Sequence, residues 1–232
     1  MKKQNFTSCL IVLLVLATTL HVFGGPAMQV KLTGHGLGTT PGGEFLFTTF
    51  GIPGHTDGSI LKTFCLETKE FIKYNVAYDV VISSEAISGG NNYGPAGVNG
   101  GDPIDPMTAY LFFNYQKGTL VGWSNDDASA DALQTVIWGI EDELGQNWLP
   151  PSGSLEELFY GQAWMAVYGP EFTWTGLGPV RVMNLYSIGY SDNDDTSFYR
   201  QDQLVLVPSP GAVFLGCIGL MLVGLLRKRV VC

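Results

Sequence analysis

Cys65 is the residue whose type and surroundings most directly suggest chemistry. The chain has 232 residues and 4 cysteines. Cys9 lies in an apolar N-terminal stretch, and Cys217 and Cys232 lie in or beyond an apolar C-terminal one. Cys65 is therefore alone in the central part of the chain. In an oxidising compartment such a thiol has no disulfide partner, and it needs protection from oxidation.

Two explanations for Cys65 are open from the residues alone. The first is burial, because a free cysteine packs as a small apolar side chain and segment 63–66 is typical of a half-buried strand. The second is an internal thioester, formed when the sulfur attacks a glutamine side-chain amide and expels ammonia. Its formation needs no metal or cofactor, and an external amine or hydroxyl can open it. Gln134, at the opening of a predicted helix, is a suitable glutamine.

The residues around Cys65 and Gln134 resemble the motifs of the bacterial surface thioester-domain family. Its members carry an aromatic-Cys motif on an early strand and a Gln-x-Ala-Ile-Trp motif on a later helix, and they join the two side chains. Here Phe64 precedes Cys65, and Ile137 and Trp138 follow Gln134 at the matching spacing. The resemblance implies a Cys65–Gln134 bond that captures a nucleophile on an extracellular polymer or another surface.

Two positions depart from that family pattern. Leu133 stands where threonine is frequent, and Val136 stands where alanine is usual. Extra bulk at Val136 would be expected to push helix and strand apart.

Both ends of the chain are typical of targeting segments. Lys2 and Lys3 precede a mostly apolar stretch over 9–23 and small residues at 25–27, which predicts a signal peptide over 1–27. An apolar run over 211–226 followed by basic residues predicts a transmembrane helix with its basic end on the cytoplasmic side. The exported domain would then span 28–207.

The C-terminal segment, 208–232 together with Val207, is similar to the sorting signal of PEP-CTERM proteins. In that class an exosortase recognises a proline motif, a membrane helix and a basic cluster. The matching residues are Val207, Pro208 and Pro210 of the variant Val-Pro-x-Pro-Gly-Ala motif, and Arg227, Lys228 and Arg229 of the basic cluster. Ser209 replaces the glutamate of the name-giving motif. The resemblance implies an exosortase-like processing enzyme as partner and a membrane-anchored or cell-surface location. A plain C-terminal membrane anchor is the alternative.

The charge distribution argues against nucleic acid as a partner. The formal net charge is −9, and the central part holds all 21 acidic residues but only 7 of the 12 basic ones. A surface this acidic repels phosphate backbones.

The elements that must position Cys65 and Gln134 are predicted to form an α+β domain. β-branched and aromatic residues predict strands over 28–32, 44–50, 59–67, 71–83, 180–191 and 198–207. Apolar residues at helical spacing predict three central helices. The first spans 106–116, the second begins at an N-cap at Ser129 and ends at Leu144 or Gln146, and the third begins at an N-cap at Ser154 and ends at Tyr168. The glycine-rich segment 89–106 is predicted to be a loop.

Other candidate sites are weaker. His35, His55 and Asp57 could bind a metal, but nothing fixes their spacing, so no metal or cofactor is predicted. The run 192–195 could hold calcium or form a solvated hairpin tip, and the acids at 141–143 would be solvated or would face a cation or partner. Tryptophans 123, 148, 164 and 174 could stack on sugars or lie in the core.

The sequence therefore predicts an exported, non-enzymatic surface or matrix protein. No Gly-x-Ser-x-Gly turn supports a hydrolase. The leading function is adhesion through a Cys65–Gln134 thioester. The alternative is a non-covalent structural or carbohydrate-binding envelope module in which Cys65 is buried core.

Overall fold

The computed structural model describes residues 27–39, 42–87, 101–189 and 199–208. Several predicted features lie outside these ranges: residues 1–26 of the signal peptide, the acidic run 192–195, Pro210, the membrane helix and the basic cluster 227–229. Within the described ranges, no helix is both long and apolar enough to cross a membrane.

The domain combines antiparallel strands with three helices, which confirms the predicted α+β class. The strands are β1 (Gln29–His35), β2 (Phe45–Phe50), β3 (Ile60–Thr63), β4 (Ala77–Ser83), β5 (Glu85–Ala86), β6 (Asp102–Pro103), β7 (Val180–Ser187) and β8 (Tyr199–Leu206). The helices are α1 (Pro106–Lys117), α2 (Asp127–Ile140) and α3 (Leu155–Tyr168), between β6 and β7. Six strands form one sheet in the order β3-β2-β1-β4-β7-β8, and β5 pairs with β6.

The two edges of the large sheet meet through the segment that follows β3. The Leu204 amide donates to the Phe64 carbonyl at 3.1 Å, and the Leu66 amide donates to the Asp202 carbonyl at 3.1 Å. Between them, Cys65 forms an antiparallel bridge with Gln203. The sheet therefore curls, and residues 64–66 lie where its first and last strands come together.

Two apolar clusters fill the interior, and the segment 64–66 contributes to both. One cluster lies between the helices and the sheet and contains Phe64 and Leu66. The other is formed mainly by strand residues and contains Cys65, with Trp138 packed against it. Side chains alternate along an extended segment, so consecutive residues enter different clusters.

Side-chain caps fix the start of each helix. Asp105 accepts from the Met107 amide at the start of α1, and Ser154 accepts from the Glu157 amide at the start of α3, as predicted for Ser154. The N-cap of α2 is Asp126, whose Oδ1 accepts from the Ser129 amide at 2.8 Å. The prediction of Ser129 as that cap was wrong, because Ser129 lies inside the helix and is buried.

Several predicted boundaries were wrong. Helix α2 ends at Ile140 rather than at Leu144 or Gln146, because Asp142 has a φ of 59° that the helix cannot continue through. The strand predicted over 71–83 begins at Ala77, since Asn75 has a φ of 60°. The strand predicted over 59–67 is regular only over β3, and β7 ends at Ser187 rather than at 191. The glycine-rich segment 89–106 includes strand β6.

Candidate functional site

Cys65 lies at the seam where the sheet edges meet, and its side chain has 0% exposure. It is the one free cysteine among the residues the structure describes. The backbone pairing of Phe64 and Leu66 with β8 leaves the Cys65 amide and carbonyl directed toward the other side, where α2 passes.

Gln134 lies in the middle of α2 and contacts Cys65 through three polar interactions. The Gln134 Nε2 donates to the Cys65 carbonyl at 2.8 Å. The Cys65 amide donates to the Gln134 Oε1 at 3.2 Å, and the Cys65 Sγ lies 3.4 Å from the same oxygen. Gln134 also has 0% exposure. The structure thus brings together the two residues that the sequence nominated.

The backbone of Cys65 holds the Gln134 carboxamide at both ends. A donor on the carbonyl oxygen is the arrangement that stabilises a developing oxyanion, and an acceptor on the nitrogen fixes the orientation of the amide. The Cys65 Sγ lies 3.4 Å from the oxygen of the amide it would attack, so the fold supplies proximity. This geometry is suited to acyl transfer from nitrogen to sulfur without a metal or cofactor.

The electrostatic surroundings keep the thiol protonated. Burial raises the pKa of Cys65 well above its ordinary value, and the carboxyl of Glu67 raises it further. The indole of Trp138 lowers the pKa of Cys65, which opposes these two effects. Trp138 follows Gln134 by four residues and therefore lies on the same face of α2.

The other motif residues support the site from behind. Phe64 packs edge-on against Tyr115, with ring centroids 5.0 Å apart. Ile137 and Val136 are fully buried in the cluster between helices and sheet, away from the cluster that contains Cys65. The expectation that Val136 would push helix and strand apart was wrong, because Gln134 on α2 still reaches the Cys65 carbonyl at 2.8 Å.

Gly42 covers the Gln134 side chain. A Cβ at Gly42 would lie 3.1 Å from the Gln134 Cγ and 3.4 Å from the Cη2 of Trp138. These distances also show that the Gln134 side chain and the Trp138 ring lie side by side beneath the same backbone segment. Sequence reasoning missed Gly42, because its role depends on a contact between distant parts of the chain.

A pair of buried carboxyls lies next to the site and was also missed. The Glu67 Oε2 accepts from the Asp202 amide at 2.7 Å. The Asp202 carboxylate accepts from the Ile87 amide, the Asn184 side chain and the Leu185 amide. Burial raises the pKa of Asp202 to about 7, and burial together with the Asp202 charge raises that of Glu67 well above its ordinary value. The three donors on Asp202 favour its charged form, and that charge adds to the burial that raises the pKa of Glu67.

The histidines and Asp57 make separate local contacts. His35 packs on Phe45 with ring centroids 4.9 Å apart, and the His55 Nε2 lies 3.0 Å from the Leu206 carbonyl. Asp57 accepts from the Gly51 amide at 2.7 Å. In the part of the chain that the structure describes, no group of three or more His, Cys, Asp or Glu residues could hold a metal ion.

Two of the three acidic residues after α2, Glu141 and Glu143, bind backbone amides, so the interpretation of 141–143 as a solvated helix end was wrong for these two, whereas Asp142 is exposed. The Glu141 Oε1 accepts from the Asp105 amide at 3.1 Å, and burial raises the pKa of Glu141 to about 8. The Glu143 Oε2 accepts from both the amide and the hydroxyl of Thr68, at 2.9 and 2.7 Å. The Glu143 contacts tie the end of α2 to the segment just after Cys65, and the Glu141 contact ties it to the residue that caps α1.

The described part of the sorting motif adjoins the folded domain. The Val207 amide donates to the Pro179 carbonyl at 2.9 Å, and Pro208 is exposed and lies against Gly54. Of the tryptophans, 123, 148 and 174 pack against the helical cluster, whereas Trp164 is 44% exposed.

Comparisons of the chain with protein-family models, curated proteins and solved structures found no match. The geometry around Cys65 and Gln134 and the sequence motifs are therefore the observations that bear on function.

Proposed function

We propose that this protein is an exported surface protein that forms an internal thioester between Cys65 and Gln134 and uses it to attach covalently to an external nucleophile. The observation that supports this most strongly is the contact between the two side chains, with the Gln134 amide held at both ends by the Cys65 backbone and the sulfur 3.4 Å from the amide oxygen.

Thioester formation balances without a co-reactant. The Cys65 Sγ adds to the Gln134 Cδ, the C–N bond breaks, and the Nε2 group leaves as ammonia with the thiol proton. Attack by an external amine on the same carbon then breaks the C–S bond, forms an amide and returns the proton to sulfur. The net result is a covalent link from Gln134 to the nucleophile and a free Cys65 thiol.

The targeting segments give this reaction its setting. The predicted signal peptide over 1–27 would export the domain, and the predicted signal over 208–232 would deliver it to an exosortase-like enzyme through a membrane helix. The nucleophile would then belong to an extracellular polymer or another surface, and adhesion would be the outcome.

The alternative function is a non-covalent envelope module in which Cys65 is only buried core. Both side chains are completely buried, as this alternative requires, and a reactive group would have to become accessible to a partner. The exposed Trp164, beside Tyr160 and Leu149 in a surface groove, is the feature such a module could use to stack on a sugar.

Intact mass separates the two functions. The exported protein should have a mass lower than its sequence by one ammonia, and incubation with methylamine should add one methylamine at Gln134 and release one titratable thiol. The Cys65→Ala variant should show neither change. A wild-type protein with its full sequence mass and one free thiol would contradict the thioester and leave the non-covalent module.

A further inference from the structure

The indole N–H of Trp138 is a buried donor with no acceptor. Its Nε1 is inaccessible to solvent and makes no hydrogen bond to any of the described residues. A buried polar group without a partner is uncommon, because it loses its hydrogen bond to water and gains nothing in return. Such a group in a native protein calls for an explanation.

The position of Trp138 relates this donor to Cys65. Trp138 packs against the apolar cluster that contains Cys65. Its ring lies beside the Gln134 side chain, as the shared contact with Gly42 shows. Gln134 and Trp138 are four residues apart on α2, so they face the same seam. The neutral thiol is a weak acceptor, whereas a thiolate is a strong one.

We infer that Trp138 is the group that stabilises negative charge on the Cys65 sulfur when the thioester forms and when it opens. This inference rests on the proposed thioester. In the resting protein the N–H makes no hydrogen bond of ordinary geometry. It already lowers the pKa of the neutral Cys65 thiol, and its interaction with the sulfur strengthens as negative charge develops there. An interaction that is stronger in the transition state than in the ground state accelerates the reaction.

The charged groups around the sulfur make such a donor necessary. Glu67, on the same extended segment, and Glu143, after α2, both raise the pKa of Cys65, as does burial. The indole N–H is the side-chain donor that acts in the opposite direction. Without it, the Cys65 backbone amide would be the remaining group that lowers the pKa of the thiol, against burial and two carboxyls.

The test removes the N–H in two variants, one of which keeps nearly the indole shape. The full-length chain would carry either Trp138→Phe or a benzothienylalanine at position 138, which has nearly the indole shape but no N–H. We expect both variants to lose ammonia and to react with methylamine roughly 10- to 100-fold more slowly than the wild type. Intact mass measures both rates. Trp174→Phe is the matched control, because the Trp174 N–H already has an acceptor, the Gly176 carbonyl at 2.8 Å. It should react at the wild-type rate.

A second measurement separates charge stabilisation from packing. In methylamine-opened protein, alkylation of the free Cys65 thiol by iodoacetamide between pH 7 and 9 reports the thiolate fraction. Loss of the donor should slow alkylation about tenfold across this range, whereas loosened packing would speed it. Equal opening and alkylation rates in wild type and the benzothienylalanine variant would overturn the inference while leaving the thioester intact. If the wild type forms no thioester, the proposed function fails, and the same alkylation comparison on the unreacted thiol still decides whether Trp138 stabilises the thiolate.

Discussion

A thioester between Cys65 and Gln134 would be a cross-link, and its effect on stability follows from the fold. The two residues are 69 positions apart in the chain. Closing a loop of that length in the unfolded chain reduces its entropy and stabilises the folded state by about 4 kcal/mol in the chain-entropy account. The folded structure contributes little strain, because the side chains are already in contact before any bond forms.

The perturbation is opening of the cross-link by methylamine. For a domain of this size, 1 kcal/mol corresponds to about 2–4 °C in Tm, so opened protein should melt roughly 8–16 °C below untreated protein. Its urea m-value should rise, because an unfolded chain without the cross-link exposes more surface. Thermal and urea unfolding followed by circular dichroism measure both quantities.

Two comparisons make the result decisive. Cys65→Ala also removes the cross-link. Its free energy of unfolding should lie about 1–2 kcal/mol below that of the opened wild type, because the contacts of the sulfur are lost. Methylamine treatment of Cys65→Ala should change nothing. If untreated protein lacks one ammonia by mass and yet melts within 2 °C of the opened form, the cross-link reasoning is refuted.

Three further substitutions test the surroundings of the site. Glu67→Gln should raise the free energy of unfolding at pH 8 and change it little at pH 4. A carboxyl whose pKa is raised in the folded state destabilises the protein as pH rises above the unfolded pKa, whereas an amide does not titrate. Equal shifts of the urea midpoint at both pH values would contradict this. Gln134→Leu should lower the free energy of unfolding in urea by roughly 2–6 kcal/mol, because it leaves the buried Cys65 amide and carbonyl without partners. A loss below about 1 kcal/mol would show that these two hydrogen bonds contribute little to stability. Asp126→Ala should cost about 1 kcal/mol by removing the cap of α2, while the ammonia deficit by mass stays at the wild-type level.

The helices could be predicted from the sequence because their signals are local. Apolar spacing identified all three, and the cap of α3 at Ser154 was correct. The start of α2 was wrong because Asp126 and Ser129 are both good capping residues. Tertiary contact decided between them: Ser129 is buried, and its hydroxyl accepts from the Ser124 amide at 3.1 Å, so it is committed to another role. Local propensity could not show that.

The seam that holds Cys65 depends on contacts that no local pattern encodes. The Thr63 hydroxyl donates to the Leu204 carbonyl at 2.6 Å across 141 positions of sequence, and Phe64 and Leu66 pair with β8 at a similar separation. The motifs around Cys65 and Gln134 nominated two residues that the structure places in contact. The way in which the Cys65 backbone holds the Gln134 amide follows from the curl of the sheet, and it could be seen only in the structure.

Burial of the site bears on both proposed functions, and it does not decide between them by itself. A thioester in water is hydrolysed, so a stored electrophile must be shielded until its partner arrives. Complete burial of Cys65 and Gln134 is therefore required by the covalent function as much as by a passive core. The difference lies in the polar groups. A passive core would satisfy its donors in the resting state, whereas here the Trp138 N–H, which lowers the pKa of Cys65, makes no hydrogen bond of ordinary geometry within the described structure. An unsatisfied donor has a cost in the resting protein and an advantage only when the sulfur becomes charged, and this asymmetry favours chemistry at Cys65 over packing alone.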